Sequence, residues 1–440
     1  MLKIRLGKIF NINDYDELAR MFLPRGMYEL VWEKADVFEG VPEKLAKARA
    51  MYEALSAETG RTLPWGVLTG VKPVKLFSQL AGAESVESAE KKLTNDYLVS
   101  VEKVSLMRRV YERQSETPDG TVAVYIGIPF CPTRCSYCTF TSGVGTEKQM
   151  REYLDVLYCE LDYVSKRMRE AGLFPESVYI GGGTPTALPL SMFDELLGRV
   201  KGGLYMEGAE FTVEAGRPDT ITYEKASIMA KAGARVSVNP QTMNDETLRL
   251  IGRDHTAADS KEAFETVRAA GVKLVNADII AGLPGEGAGD FRHTLEETVK
   301  TGAENITIHT LALKKGSALL EKNGTEQYYS NFAGAAVMLR EADAVLSGKG
   351  MFPYYLYRQK QTVGNLENTG YAALGAECVY NMRMMQEKQT VIALGAGAVS
   401  KLYFPEEDRI ERVFNVADNG LYIERAQEMI ERKRAIFEGI

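Results

Sequence analysis

Three cysteines fall within eight residues, in Cys131-Pro-Thr-Arg-Cys135-Ser-Tyr-Cys138, a C-x3-C-x2-C run. Thiolates are the usual protein ligands of iron–sulfur clusters. A cubane cluster has four irons, so three cysteines leave one iron without a protein ligand. That position is open to chemistry, by the same logic that keeps a vacant site on catalytic zinc. Two other readings share the spacing: a structural zinc knuckle, and a disulfide with a spare thiol. Structural zinc takes four protein ligands, yet Cys159 comes a helix later and the nearest histidine is His255. The apolar, β-prone stretch Tyr125-Ile-Gly-Ile-Pro-Phe130 runs straight into the first cysteine. A strand-end loop suits an active site better, and the cluster is the reading carried forward.

The elements that must position this loop follow from periodicity. From about residue 121, strand and helix patterns alternate. Strands are expected at Val122 to Phe130, Ser177 to Gly183, Glu210 to Gly216, Arg235 to Gln241, Lys273 to Ala281 and Asn305 to Leu313. Helices are expected at Gln149 to Ala171, Ser191 to Val200, Thr222 to Ala232, Ser260 to Ala270 and Asp290 to Thr301. Apolar strands in repeated strand–helix units imply an α/β fold with a parallel sheet covered on both faces. Six units suggest a partial (β/α)6 barrel of the TIM type, whose chemistry sits at the C-terminal strand ends. Cys131, Gly182 to Thr184, Glu214, Gln241, Asp278 and Ala312 all fall there.

The flanks read differently. Residues 1–118 form an expected α+β N-terminal domain, with β-like pieces at Leu2 to Phe10 and Met27 to Trp32 and helices at Pro42 to Ala57 and Ser88 to Glu116. The polar, turn-rich Gln114 to Gly120 marks its end. Residues 119–315 are the expected barrel and 316–440 a helix-rich C-terminal cap. The cap includes a helix at Gln327 to Leu346, an aromatic stretch Phe352 to Lys360, and a buried strand with a glycine turn at Val391 to Val399.

The chain has 440 residues, enough for two or three domains. Five cysteines, three of them in one motif, are no disulfide framework and point to a reducing cytoplasm. A net charge of −7 supports no nucleic-acid surface. No run is long and apolar enough for membrane insertion, and Met1 to Phe10 lacks a signal-peptide core. Cys159 and Cys378 read as buried structural thiols. His255, His293 and His309 receive no role.

The residues resemble a known family. Tyr125-x-x-Ile-Pro-Phe-Cys131, Gly181-Gly-Gly-Thr-Pro-Thr186, Val238-Asn-Pro-Gln241, Ile251-Gly-Arg253-Asp-His255 and Asp278-Ile-Ile-Ala-Gly-Leu-Pro284, in this order, resemble the radical S-adenosylmethionine (SAM) enzymes. Within them the match is to the oxygen-independent coproporphyrinogen III oxidase group. The long N-terminal unit and Tyr354 to Gly370 look like its HemZ-like branch. The resemblance implies a [4Fe–4S] cluster on Cys131, Cys135 and Cys138, and SAM on its open iron. It implies first-SAM contacts at Tyr125, Gly182, Gly183, Thr184 and Glu214. Tyr137, Gln241, Arg253, Asp278 and Ala312 match positions that hold a second SAM, with Arg253 able to grip a carboxylate bidentately. A one-electron donor such as a flavodoxin or ferredoxin is implied as a partner.

The implied reaction is oxidative decarboxylation of coproporphyrinogen III to protoporphyrinogen IX, with a tetrapyrrole as substrate. A polyanionic substrate needs cations, and Arg217, Arg358 and Lys360 are the candidates. Two departures matter. Phe140 stands where the characterised decarboxylase carries a further cysteine. Glu367-Asn368 stands before Tyr371 where haem-chaperone relatives usually have His-Asn. The alternatives are therefore a haem-binding, chaperone-like (HemW-type) protein that keeps cluster and SAM, or a radical SAM enzyme acting on another tetrapyrrole.

Overall fold

The computed structural model describes residues 1–9, 11–35, 40–138, 143–313, 317–323 and 332–438. At the N-terminus, β1 (Leu2–Ile9) and β2 (Tyr28–Lys34) pair in parallel, joined through the helix Asn13–Phe22. That helix buries Leu18 and Phe22 against Tyr52 and Leu55 of the helix Val41–Thr59. Helices Pro73–Ala83, Val86–Asn95 and Val101–Arg113 follow around Trp65, Phe77, Leu93 and Met107.

The long helix expected over Ser88 to Glu116 is two helices. The first ends at Asn95, and Ser100 starts the second, its side chain accepting from the Lys103 N–H as an N-cap. Leu98 just before it takes a positive φ of 56°. Gly66 makes the break possible: a Cβ there would lie 2.1 Å from the Tyr97 carbonyl oxygen, so only glycine lets the two chain segments meet.

The rest of the chain builds one large sheet. Its strands are β3 (Thr121–Ile128), β4 (Phe174–Gly182), β5 (Glu210–Ala215), β6 (Arg235–Gln241), β7 (Val275–Ala281), β8 (Asn305–Thr310), β9 (Phe352–Arg358), β10 (Glu367–Ala372), β11 (Val391–Leu394), β12 (Val399–Phe404) and β13 (Arg409–Phe414). The order is β13-β12-β11-β3-β4-β5-β6-β7-β8-β10-β9. β11 and β3 to β8 run parallel; β12 and β13 at one edge, and β10 and β9 at the other, are antiparallel. The six expected strand–helix units are present in order. The C-terminal region carries the helices Phe332–Gly348, Val379–Gln386, Asn419–Glu424 and Ala426–Glu438, and in addition supplies five strands that extend the sheet at both ends. The part of the expected helix over residues 327–331 lies outside the described residues, as does Phe140.

The two faces of the sheet differ in chemistry. One face carries Val122, Val124, Ile126, Val178, Ile180, Val213, Val236, Ile279 and Ile308, buried against Leu154, Phe193, Phe264 and Phe291 of the covering helices. Each such side chain contributes about 1.5–3 kcal/mol on burial. Strand geometry turns the alternate residues to the other face. These are Tyr125, Tyr179, Glu214, Ser237, Asp278, Thr307 and His309, a mostly polar and aromatic lining. The strands therefore alternate instead of being apolar throughout.

A buried polar network fastens the C-terminus. The Glu160 carboxylate accepts from the Gly395 N–H at 2.9 Å, Tyr422 Oη at 2.7 Å and Asn415 Nδ2 at 2.9 Å, and pairs with Lys433 Nζ at 3.3 Å. Lys433 also donates to Asn415 Oδ1 at 2.9 Å. Every member has partners, which is the condition under which buried charge is tolerated.

Candidate active site

The cysteine loop hangs on backbone bonds from several directions. The Cys131 N–H donates to the Gly143 carbonyl, the Ser136 N–H to that of Ile251, and the Leu319 N–H to that of Ser136. Below the loop, the Gly183 and Thr184 N–H groups donate to the Ile128 and Phe130 carbonyls at 2.7 Å each. A Cβ at Gly183 would sit 2.5 Å from the Phe130 oxygen, and Gly182 has a φ of 105°. The glycine turn is thus packed against the end of β3, and this explains two consecutive glycines. Gly252, with φ of 74°, faces the loop from the other side; its Cβ would lie 3.2 Å from the Arg134 carbonyl oxygen.

The three thiols are free of disulfides and half-buried. Thr184 Oγ1 lies 3.5 Å from Cys131 Sγ, and Arg217 Nη1 donates toward Cys135 Sγ at 3.9 Å. Donors of this kind stabilise thiolate and tune a bound cluster. Among the described residues no three His, Cys, Asp or Glu side chains are grouped as a single metal ion would need them. A cubane needs its thiolates farther apart than one ion does. Three unbridged thiols on one tethered loop, with donors aimed at sulfur, fit such a group.

Two carboxylates face the loop's neighbourhood from the inner side of the sheet. Glu214 Oε1 accepts from Tyr179 Oη at 2.6 Å. Burial pushes its carboxyl up to about 7; Asp278 adds to the rise, while Tyr179, the Gly182 N–H and His309 oppose it. Tyr125 stacks beside Tyr179 and Tyr380 of the helix Val379–Gln386, its ring 6.3 Å from the first and 6.1 Å from the second, and those two rings stack 4.6 Å apart. Burial raises the phenols of Tyr125 and Tyr179, so both remain donors. Asp278 stands on β7, with His309 Nε2 3.5 Å from its Oδ2.

Gln241 ends β6 in the left-handed region, with φ of 68°, and its buried Oε1 has no hydrogen-bond partner. A strained residue with an unpaired buried acceptor marks a site where a ligand donor would be welcome. Arg253 is buried and engaged: Nη1 donates to the Gly216 and Asn239 carbonyls at 2.8 and 2.9 Å, and Nη2 to Tyr137 Oη at 3.0 Å. Arg253 keeps its buried Nε without a hydrogen-bond partner, so the donors left for the expected grip on a ligand carboxylate are Nε and the second proton of Nη2. It ties the cysteine loop to the ends of β5 and β6. Ala312 follows β8 and bridges to Thr362.

The three cations expected to meet a polyanionic substrate already have partners within the chain. Arg217 is buried, doubly bonded to Asp219 at 3.0 and 3.2 Å, and reaches the cysteine loop through Thr133 Oγ1 at 2.8 Å. Its charge, with His255, holds the Asp219 carboxyl down at about 2 although burial opposes this. Arg358 is buried over the Trp65 ring at 5.2 Å and donates to the Leu68 carbonyl. Lys360 is exposed and paired with Glu17 at 2.7 Å. The long-range partners of these residues cannot be read from neighbouring sequence. Cys378 is buried as expected, but Cys159 is exposed. Tyr179 and Tyr380 are not among the expected site residues and His309 was given no role; in-phase alternation with Tyr125, Glu214 and Asp278 would have found Tyr179 and His309. Among the described residues no helix is long and apolar enough to cross a membrane.

Comparison with known proteins gives the context. Residues 125–298 match the Radical SAM superfamily. The chain is 39% identical over 398 residues, 88% of its length and 79% of the relative's, to the oxygen-independent coproporphyrinogen-III oxidase-like protein HemZ of Bacillus subtilis. It is 32% identical over 195 residues to the heme chaperone HemW of the same organism, covering 44% of this chain and 51% of that one. Among solved structures it resembles coproporphyrinogen III oxidase (HemN) from Escherichia coli, with a TM-score of 0.56 at 21% identity, over 74% of this chain and 73% of the other. That likeness is one of fold.

Proposed function

The chain belongs to the radical SAM superfamily, in its coproporphyrinogen oxidase-like group, and from that premise we propose that it oxidatively decarboxylates coproporphyrinogen III to protoporphyrinogen IX without oxygen. Members of the superfamily use a [4Fe–4S] cluster and SAM. When bound, these supply a 5′-deoxyadenosyl radical that can abstract hydrogen from a substrate propionate.

Cys131, Cys135 and Cys138 would hold three irons, leaving the fourth for SAM. Thr184 and Arg217 would stabilise the thiolates through the contacts described above. Gly182, Gly183, Thr184, Tyr125 and Glu214 would receive one SAM, with Glu214 as acceptor for its amino or hydroxyl groups. Tyr137, Gln241, Asp278 and Ala312 would line the place of a second, and Arg253 would brace that wall. The reading is carried by one observation: the cysteine loop, the glycine turn, both inner carboxylates and the strained Gln241 meet at one end of the same parallel sheet. The electron would come from a reduced flavodoxin or ferredoxin.

The similarity to the Bacillus subtilis heme chaperone over about half its length favours a second reading, in which the protein binds haem and makes no vinyl product. One residue speaks against it. Glu367, where the resemblance to haem chaperones would imply histidine, is buried and bound to Lys103 and Trp65. Anaerobic incubation of the reconstituted protein with SAM, a reductant and coproporphyrinogen III separates the two. Protoporphyrinogen with stoichiometric 5′-deoxyadenosine is the expected result. Tight haem binding without porphyrin turnover would establish the chaperone reading instead, and SAM cleavage with neither would point to another tetrapyrrole.

A further inference from the structure

β8 and β9 are not neighbours, since β10 lies between them, yet a tyrosine of β9 reaches a histidine of β8. Gly370 of β10 pairs with Thr307 on one side and Tyr355 on the other. A Cβ at Gly370 would lie 1.8 Å from the Tyr355 ring, so the ring can cross β10 only above a glycine. Its hydroxyl lies 3.0 Å from Thr307 Oγ1. Asn368, two residues earlier, turns its Oδ1 aside to accept from the Thr310 N–H at 2.8 Å. Tyr357 follows the same course, stacked on Tyr355 with ring centroids 6.3 Å and planes 7° apart, and its hydroxyl stands 3.3 Å from His309 Nδ1.

The contact bears on the tautomer. With the Tyr357 hydroxyl, a phenol kept protonated by burial, as donor, Nδ1 accepts and the ring proton falls on Nε2, facing Asp278. Among the described residues His309 Nε2, 3.5 Å away, is the one nitrogen of a basic side chain within 4 Å of the Asp278 carboxylate. His309 and Asp278 keep 27% and 22% of their side-chain exposure, so the pair faces the open interior.

We propose that His309 is a positioning residue: locked by Tyr357 as the Nε2–H tautomer, it occupies one carboxylate oxygen of Asp278 and turns the other toward the hydroxyls of a bound SAM. The inference rests on the SAM contact assigned to Asp278 above. The logic is that of outer partners that orient a ligand-binding group.

The test uses the full-length, cluster-reconstituted protein and SAM itself, measured by anaerobic equilibrium dialysis. His309→Phe should weaken the step of the SAM isotherm that Asp278→Asn also weakens, by about tenfold. His309→Gln keeps a donor near the Nε2 position and should recover most of that loss. Cluster absorbance should match wild type in all three, showing that they fold. Three histidines make 15N-histidine spectra simple: the His309 resonance should report the Nε2–H tautomer in wild type and a mixture in Tyr357→Phe. Wild-type SAM binding by His309→Phe alongside weakened Asp278→Asn overturns the inference, as does a His309→Gln protein no better than His309→Phe. Absence of coproporphyrinogen turnover in wild type, with the His309→Phe defect present, would sink the decarboxylase reading and leave this inference standing.

Discussion

Lys103 Nζ lies 2.6 Å from Glu367 Oε1, joining the N-terminal helix Val101–Arg113 to β10 through a pair almost wholly withdrawn from water. Trp65 Nε1 donates to the other carboxylate oxygen at 2.8 Å. Burial alone would lower the Lys103 pKa, but Glu367 overcomes it and the net shift is upward. A raised lysine contributes stability that is complete below its unfolded pKa and lost only in strong alkali, so the pair is intact throughout the neutral range. Lys103→Met leaves a buried carboxylate unpaired and should cost about 3–5 kcal/mol in denaturant unfolding, with Lys103→Met/Glu367→Leu recovering much of it. A single variant as stable as wild type would mean that the pair does not hold the two parts together.

Glu214 should make both stability and ligand binding depend on pH. Its folded pKa is raised from an ordinary carboxyl value to about 7, chiefly by burial. The sign follows: the folded state prefers the protonated group, so ionisation costs stability as pH rises from about 4.5 through 7. Glu214→Gln removes that cost. It should match wild type near pH 5 and exceed it at pH 8 in thermal unfolding of the protein without SAM. Wild-type SAM affinity should move the opposite way, rising through pH 7 as the acceptor ionises. Parallel stability curves for the two proteins across this range would show that Glu214 does not titrate there.

The six central strands were legible because their outward residues are β-branched and apolar at period two, and the cysteine loop because three thiols so close have few uses. β9, β10, β12 and β13 were not. All six residues of Glu367 to Ala372 are buried, yet Glu, Asn, Thr and Gly read as a loop. Their polar groups are satisfied by distant partners: Lys103 for Glu367, and the Thr310 N–H for Asn368. The same blindness misplaced Arg358, whose acceptor on Leu68 lies 290 residues away. Charge is visible in sequence; what neutralises it is a matter of tertiary structure.

Thr184 offers a clean probe of the cysteine loop, because its hydroxyl meets Cys131 Sγ at 3.5 Å while its N–H is separately engaged by Phe130. Thr184→Val keeps shape and backbone but removes the donor to sulfur. A reduced cluster carries more negative charge and benefits more from that donor. The midpoint potential should therefore fall by roughly tens of millivolts in an EPR-monitored titration. Thr184→Ser should hold the wild-type value. Equal potentials for the Val and Ser proteins would mean that the hydroxyl does not act on the cluster.

Gln241 trades stability for binding. Its left-handed backbone costs about 1–2 kcal/mol for a residue with a Cβ, and its buried, unpaired Oε1 costs about 1–3 kcal/mol more. Gln241→Gly removes both and adds about 0.5–1 kcal/mol of chain entropy to be lost on folding. It should come out more stable than wild type by about 1 kcal/mol or more in denaturant unfolding. Gln241→Ala relieves the unpaired oxygen but keeps the strain, so it should fall below Gln241→Gly by about 1 kcal/mol. Both should bind SAM less tightly, because the acceptor that a ligand N–H or O–H would satisfy is gone. If Gln241→Gly were the less stable of the two, the strained conformation would belong to the fold and not to the site. If both bound SAM as wild type does, the unpaired oxygen would have no ligand to meet.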